Sequence, residues 1–454
     1  MQLRERLVSS VAIANVISLP SIFIATGYFG VKWPSQLVFK SADGWCDSAT
    51  QGVGLHCFGD FSDMYFRGSI EPWARRSGPL AHPPLSVFAQ DAFARLGEFL
   101  GNPRIALGLW LVLISVCVLL PIIWATHITR APQRWIVLLL MGVATTPMLS
   151  AMDRGNSAPL AVPLLLWFAV SFTRGRNRSA VLAIVLATLI RPHLLVLAVL
   201  FLMRRDVLNL LRAVTFSIIG LLLSFAMYPG DRIGNLTDWI VNMAQYGGYR
   251  SPLLPFPQSV GSARSSVLIG EFVWTRVLGQ EPQAARRVFR ADEAPVATVL
   301  DFVGQHHAGL LLLAAAALCA LVALLWIRGH RFSPFALVTA GCAVPVVVPS
   351  VSFSYYLSFL LVPLGLLLRA PAEHRRFFDS APSWLEQATQ WVFITAMTVT
   401  LVPTALPLSL LIPVPTYRGA NLFVGLIGPM WWLFGALLLL GLLLPDRRRV
   451  AAAA

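Results

Sequence analysis

Apolar runs long enough to cross a bilayer alternate along this chain with short connections that carry arginine. A span needs about 20 mostly apolar residues. Such runs lie near 7–30, 104–126, 134–150, 157–173, 208–228, 308–327, 333–349, 353–368, 388–412 and 421–444. The pattern predicts an all-α polytopic bundle with about ten full spans. Two long loops, 31–103 and 229–307, share one side with short ones at 151–156, 350–352 and 413–420.

Residues 178–204 do not fit a simple crossing. The segment begins and ends at arginine clusters that belong on the same side, and Arg191-Pro192-His193 interrupts it midway. Each half would be roughly 18 Å long as a helix, against a hydrocarbon core of about 30 Å. A re-entrant pair of half-helices, or two short helices meeting near the far face, satisfies both constraints. Irregular backbone at membrane depth is tolerated only where protein buries it or a wet cavity meets it, so the break predicts a cavity holding Arg191.

The long loops keep their own patterning. Residues 85–100 set Leu85, Phe88, Ala92, Phe93, Leu96 and Phe99 against Gln90, Asp91, Arg95 and Glu98 at helical spacing, predicting an amphipathic helix in the membrane interface. Loop 229–307 carries Trp239, Tyr246, Tyr249 and Trp274, aromatics of the kind that sit at headgroup depth. With no internal repeat, residues 1–454 are read as one integral membrane domain.

Composition agrees: 57% of residues are hydrophobic and 12% charged, far from the roughly 25% charged residues of soluble domains. The net charge of +14 is nearly all arginine, with lysine only at Lys32 and Lys40. Its place in short loops is the positive-inside pattern rather than a nucleic-acid face. Both termini are therefore expected to be cytoplasmic and the long loops extracytoplasmic. Arg4 and Arg6 precede the first apolar run without a small-residue cleavage site, so that run is expected to stay as an anchor. Cys46 and Cys57 share the first long loop, and if it faces an oxidising compartment they either pair or stay as free thiols.

Chemistry is expected where polar groups stand without a packing reason. Asp60 and Asp63 sit among Phe58, Phe61, Met64, Tyr65 and Phe66; a carboxylate in such surroundings suits proton transfer, while a solvated acidic loop is the plain alternative. His82-Pro83-Pro84 fixes an extended bend before the amphipathic helix, and His82 either serves only that bend or touches substrate. Asp153-Arg154-Gly155-Asn156 reads as a tight turn in which either Asp153 and Arg154 simply pair or Arg154 and Asn156 hydrogen-bond a polar ligand. A membrane-embedded Arg191 costs about 2.5 to 3.5 kcal/mol, so it either snorkels or receives an anionic group from lipid. Tyr355 and Tyr356 offer hydroxyls or form an interfacial belt; Arg250, Arg264 and Arg276 of the second long loop are candidate phosphate partners. No zinc-ligand spacing, nucleotide-binding glycine loop or nucleophile-elbow serine is present.

These features together resemble glycosyltransferase family 87, the C-type glycosyltransferases that include polyprenyl-phosphate-dependent mannosyltransferases and arabinofuranosyltransferases. The resemblance rests on Asp60-Phe61 with Tyr65 after the first span, on Pro83-Pro84, on Asn156 before an apolar span, on Arg191-Pro192 and on Tyr355-Tyr356. It implies a C-type bundle with Asp60 as catalytic base. By the resemblance Arg191 stands where a Lys or Arg precedes proline, and Asn156, Tyr355 and Tyr356 would line the site; Tyr65, His82, Arg154, His193, Arg264 and Asp63, an acid the family does not require, are the remaining substrate-binding candidates. Implied partners are a polyprenyl-phosphate sugar, mannose or arabinofuranose, and a glycan or glycolipid acceptor at the extracytoplasmic face of the cell membrane. No cofactor is implied, although Asp60 with Asp63 leaves room for a divalent ion. His82 departs from the aromatic residue usual before the two prolines. A transporter or flippase of lipid-linked sugars is the alternative reading.

Overall fold

The computed structural model describes residues 3–29, 58–61, 72–73, 82–127, 131–248, 320–328, 332–347, 354–369, 376–379, 381–403 and 422–444. Among them the architecture is helical, with one isolated bridge between Phe332 and Phe378 and no strand. Helix α1 (Leu3–Phe29) is followed by α2 (Pro84–Phe99), α3 (Pro103–Thr126), α4 (Ala131–Leu138) and α5 (Thr146–Arg154). Then come α6 (Val162–Thr173), α7 (Asn177–Ile190), α8 (Val199–Met203), α9 (Val207–Met227) and α10 (Arg232–Gly248). The remaining helices are α11 (Pro334–Val347), α12 (Leu361–Arg369), α13 (Ser383–Leu401) and α14 (Leu422–Leu443).

Three described helices are long and apolar enough to cross a membrane: α3, α9 and the Leu426–Leu443 part of α14. A fourth is counted if the bent pair Pro132–Val143 and Thr146–Met152 is one span. The continuous run expected over 134–150 is therefore two pieces, bent by 58°. The cause is local. Leu139–Val143 widens into a π-turn, and Pro147, near the start of α5, cannot continue a helical ladder from the preceding turn. The runs expected at 157–173, 333–349 and 353–368 appear as shorter apolar helices. Those at 308–327 and 388–412 lie partly outside the described residues.

The interruption at Arg191 is present. Helix α7 stops at Ile190, Arg191 is extended (φ −142°, ψ 100°), and a 3-10 turn over Pro192–Ala198 leads into α8. Pro192 bars helical geometry at the residue before it and supplies no N–H to close the ladder. Helix α9 runs from the arginine-rich Arg204-Arg205-Asp206 corner to Tyr228. Its 21 residues measure about 31 Å, the depth of a hydrocarbon core, so its two ends mark opposite sides of the bundle.

Helix α2 forms where the amphipathic pattern places it, with extended Pro83 as N-cap and Pro84 in its first turn. Its burial is the reverse of that in a soluble protein. Ser86, Gln90, Asp91 and Ala94 are buried against the bundle, while Leu85, Phe88 and Phe99 are exposed, Phe99 by 86%. An apolar face turned outward fits a helix bathed in lipid on one side and packed on polar groups at the other.

Candidate active site

Asp60 lies on a single helical turn, 59–61, that is locked by its aromatic neighbours. Phe58 and Phe61 are buried with Trp110 and Ile114 of α3, and the Phe61 and Trp110 rings stack at 5.8 Å. The Phe61 amide donates to the Phe58 carbonyl at 2.9 Å, and Gln90 of α2 donates to the Asp60 carbonyl at 3.3 Å. The apolar residues that make the Asp60 segment look out of place for an acid are thus its anchors. Its carboxylate keeps 21% side-chain exposure.

Opposite stands the end of α5. The stretch 153–156, expected as a tight turn, is a helix terminus: Arg154 occupies the last turn of α5 and Gly155 closes it in left-handed geometry at φ 62°. A left-handed C-cap is the ordinary use of glycine at a helix end. Trp110 Nε1 donates to the Gly155 carbonyl at 2.7 Å, with Gln90 Nε2 at 3.4 Å. This fixes where the chain re-emerges at Asn156. A Cβ on Gly155 would lie 3.1 Å from Phe61 Cβ, so the helix end and the Asp60 turn are packed directly together.

Asn156 joins the acid to the cation. Its Nδ2 donates to Asp60 Oδ2 at 2.7 Å, while its Oδ1 accepts from the Ala158 amide at 2.7 Å and from Arg191 Nη2. The amide orientation is forced, because an ionised carboxylate only accepts and a guanidinium only donates. Arg154 Nη1 lies 3.5 Å from Asp60 Oδ1. Arg191 is 2% exposed; it also bonds Ser157 Oγ at 3.1 Å and His82 Nδ1. Ser157 in turn bonds Ser86 of α2. Among the described residues, the hydrogen-bond partners of this deeply buried guanidinium are all uncharged amide, hydroxyl and imidazole groups.

Aromatic side chains close the other side. The Arg191 guanidinium carbon is 5.9 Å from the Tyr356 ring centre, His193 meets Tyr356 edge-on at 5.2 Å, and Tyr355 packs on Tyr356 at 4.6 Å. Arg191 Nε and His193 Nε2 are buried with no hydrogen-bond partner among the described residues. Buried polar atoms are almost always satisfied, so these two nitrogens are hydrogen-bonding capacity that the described residues leave unused.

Of the residues expected from sequence, Asp60, His82, Arg154, Asn156, Arg191, His193, Tyr355 and Tyr356 come together here. Asp63, Tyr65, Arg250, Arg264 and Arg276, like Cys46 and Cys57, lie outside the described residues. Among the described residues no group of three or more His, Cys, Asp and Glu side chains is placed to hold a metal ion. Sequence reasoning missed Ser157, Ser86, Gln90 and Trp73. Ser86, Gln90 and Ala94 recur every four residues on α2, a small and polar stripe that marks a helix face meeting something polar.

Trp73 holds His82 from behind. Its Nε1 donates to the His82 carbonyl at 2.8 Å, and Asn242 of α10 donates to the Trp73 carbonyl at 3.0 Å. The indole is fully buried, 5.2 Å from Phe225 and 4.8 Å from Tyr228 at the end of α9.

The sequence profile of glycosyltransferase family 87 matches residues 81–352. The chain belongs to glycosyltransferase family 87. The stretch matched by family 87 contains His82, Arg154, Asn156, Arg191 and His193; Asp60 precedes it and Tyr355 and Tyr356 follow it. One relative is a polyprenol-phosphate-mannose-dependent alpha-(1-2)-phosphatidylinositol mannoside mannosyltransferase of Mycolicibacterium smegmatis. It is 24% identical over 291 residues, which cover 59% of this family 87 chain and 64% of the relative's own length.

Proposed function

We propose that this protein transfers a sugar, mannose or arabinofuranose, from a polyprenyl-phosphate donor to a glycan or glycolipid acceptor at the extracytoplasmic membrane face. The observation that carries this reading is the continuous line Asp60, Asn156, Arg191, in which a carboxylate and a buried cation stand one amide apart. Membership of family 87 and the donor named for the Mycolicibacterium relative support it. The proposal includes the multi-pass topology of about ten spans, with cytoplasmic termini and the site facing outward.

The chemistry follows from which atoms are free. Asn156 occupies one lone pair of Asp60 Oδ2 and Arg154 pairs with Oδ1 as a charge 3.5 Å away; a carboxylate has about four acceptor sites, which leaves others for an acceptor hydroxyl. Asp60 takes the hydroxyl proton as that oxygen attacks the anomeric carbon, work that contributes about 10² to 10⁴ in rate. The bond from anomeric carbon to phosphate oxygen breaks, and its electron pair leaves on the polyprenyl phosphate. Arg191 stabilises that developing charge from a site already preorganised by His82, Asn156 and Ser157. Displacement in one step inverts the anomeric centre.

Proteoliposomes of the full chain, given separate radiolabelled polyprenyl-phosphate mannose and polyprenyl-phosphate arabinofuranose with membrane glycolipid extract, test this directly. Label should move covalently from one donor to the acceptor fraction, and Asp60→Asn should stop it. Passage of intact donor across the bilayer without transfer would replace the enzyme reading with a transporter.

A further inference from the structure

The arginine-rich end of the bundle carries a groove unrelated to the site above. Asn177 at the start of α7 and Asp206 before α9 are joined by a 2.6 Å hydrogen bond, so these two helix starts are neighbours. Between them opens a groove of about 360 Å³. Val181, Leu182 and Val185 of α7 and Phe216 of α9 line its apolar wall, and Arg178 and Arg212 stand at its polar end with Asn209. The helices meet beyond it, where Leu189 lies against Gly220.

Among the described residues the two guanidiniums have no acidic partner. Arg212 donates to the neutral Asn209 Oδ1 at 3.2 Å, and Arg178 is exposed. Asp206 is the lone carboxylate between residues 174 and 212. Its oxygens already accept from Asn177 Nδ2, Asn209 Nδ2 and the Asn209 amide. The two chain segments that the hydrogen bond between Asn177 and Asp206 joins carry Arg174, Arg176 and Arg178 on one side and Arg204, Arg205 and Arg212 on the other. Arg204 and Arg205 are turned to backbone carbonyls of Phe172, Trp326 and Ile327. Positive charge at the groove mouth, with a half-exposed apolar trough behind it, is complementary to one kind of occupant.

We propose that this groove binds a phospholipid with an anionic headgroup. The headgroup phosphate lies between Arg178 and Arg212, and an acyl chain follows Val181, Leu182, Val185 and Phe216. Basic pockets between membrane helices bind such headgroups, and the planar guanidinium fork matches the oxygens of a phosphate. The site is not that of the sugar donor: thirteen residues of rise along α7 separate Arg178 from Arg191, about 20 Å, and the two lie toward opposite ends of the helix.

The test titrates the purified full-length protein, in neutral detergent, with dioleoylphosphatidylglycerol or dioleoylphosphatidylcholine and follows the thermal unfolding midpoint. Each arginine near an anionic lipid surface changes binding about fivefold. The paired variant Arg178→Gln with Arg212→Gln should therefore need about 25-fold more phosphatidylglycerol for half the stabilisation. Arg174→Gln with Arg176→Gln removes the same charge from the same end without touching the groove, and should shift the curve less than about twofold. Val185→Trp, which fills the trough but keeps both arginines, should also weaken the response. Three results overturn the proposal: equal stabilisation by the two lipids, equal shifts in the two arginine pairs, or full stabilisation by inorganic phosphate alone.

Discussion

Asp60 accepts a 2.7 Å hydrogen bond from the amide nitrogen of Asn156. The oxygen of the same amide takes a donor from Arg191, so the acid cannot shift without moving the cation. Removing Asn156 should therefore damage both. Asn156→Ala is expected to lower kcat by about 10²-fold, the cost of misplacing a reacting group by around an ångström, with the fold intact by circular dichroism. Asn156→Asp should be at least as damaging, because it sets like charge against Asp60 while still accepting from Arg191. Near-normal turnover in both variants would show that the line from acid to cation has no catalytic part.

Asp60 itself admits a sharper comparison. Asp60→Asn keeps the shape of the side chain and removes the base, so transfer should fall by about 10² to 10⁴. Donor binding, measured with unreactive donor by competition, should change little. Loss of donor affinity as large as the loss of kcat would move Asp60 from proton transfer to donor binding.

Arg191 makes its contacts through both terminal nitrogens, to His82 on one side and to Asn156 and Ser157 on the other. A lysine retains the charge but has no planar fork to span them. Arg191→Lys should keep part of the activity and Arg191→Ala should lose about 10²- to 10³-fold, chiefly in kcat/KM for the donor. Identical activity in the two variants would return Arg191 to a structural role.

The part of this site visible in sequence is the part that breaks a local rule. Arg191 interrupts an apolar run beside a proline, Asp60 is an acid among aromatics, and Asn156 follows a glycine before another apolar run. Each is conspicuous within ten residues of chain. Helix limits were legible for the same reason: α3, α9 and α14 begin and end within two residues of their apolar runs. What was hidden depends on partners distant in sequence. Gln90 acquires meaning only when Asp60 and Gly155, 30 and 65 positions away, arrive beside it. Trp73 is one of 14 tryptophans, and nothing nearby shows that its indole holds His82. The reading of 153–156 as a turn failed because a helix ending on a left-handed glycine has the same turn-like composition.

Trp73 should act through His82. Trp73→Phe preserves most of the packing against Phe225 and Tyr228 and deletes the 2.8 Å bond to the His82 carbonyl. A hydrogen bond of net worth about 1 kcal/mol corresponds to about a fivefold rise in donor KM, with kcat changing less. Trp239→Phe trims the same buried cluster and should leave donor KM unchanged. If both substitutions raise KM equally, general loosening of the cluster explains the effect and Trp73 does not position His82.

Gly155 gives a test in which stability and activity must fall together. At φ 62° its backbone is left-handed, which costs roughly 1 to 2 kcal/mol for a residue carrying a Cβ. Here the added carbon would also press on Phe61 Cβ from 3.1 Å, and Phe61 is fully buried against Trp110. The Asp60 turn cannot retreat into that packing. It should move outward, away from Asn156, which is attached directly to the substituted residue. Gly155→Ala should thus lower the unfolding midpoint and reduce kcat, while Gly175→Ala supplies the control. Gly175 has a similar φ of 69°, with nothing within 4 Å of the added carbon, so it should lose stability by the backbone cost alone and keep its activity. Equal kinetics in the two variants would mean that contact between the helix end and the Asp60 turn does not set the position of the acid.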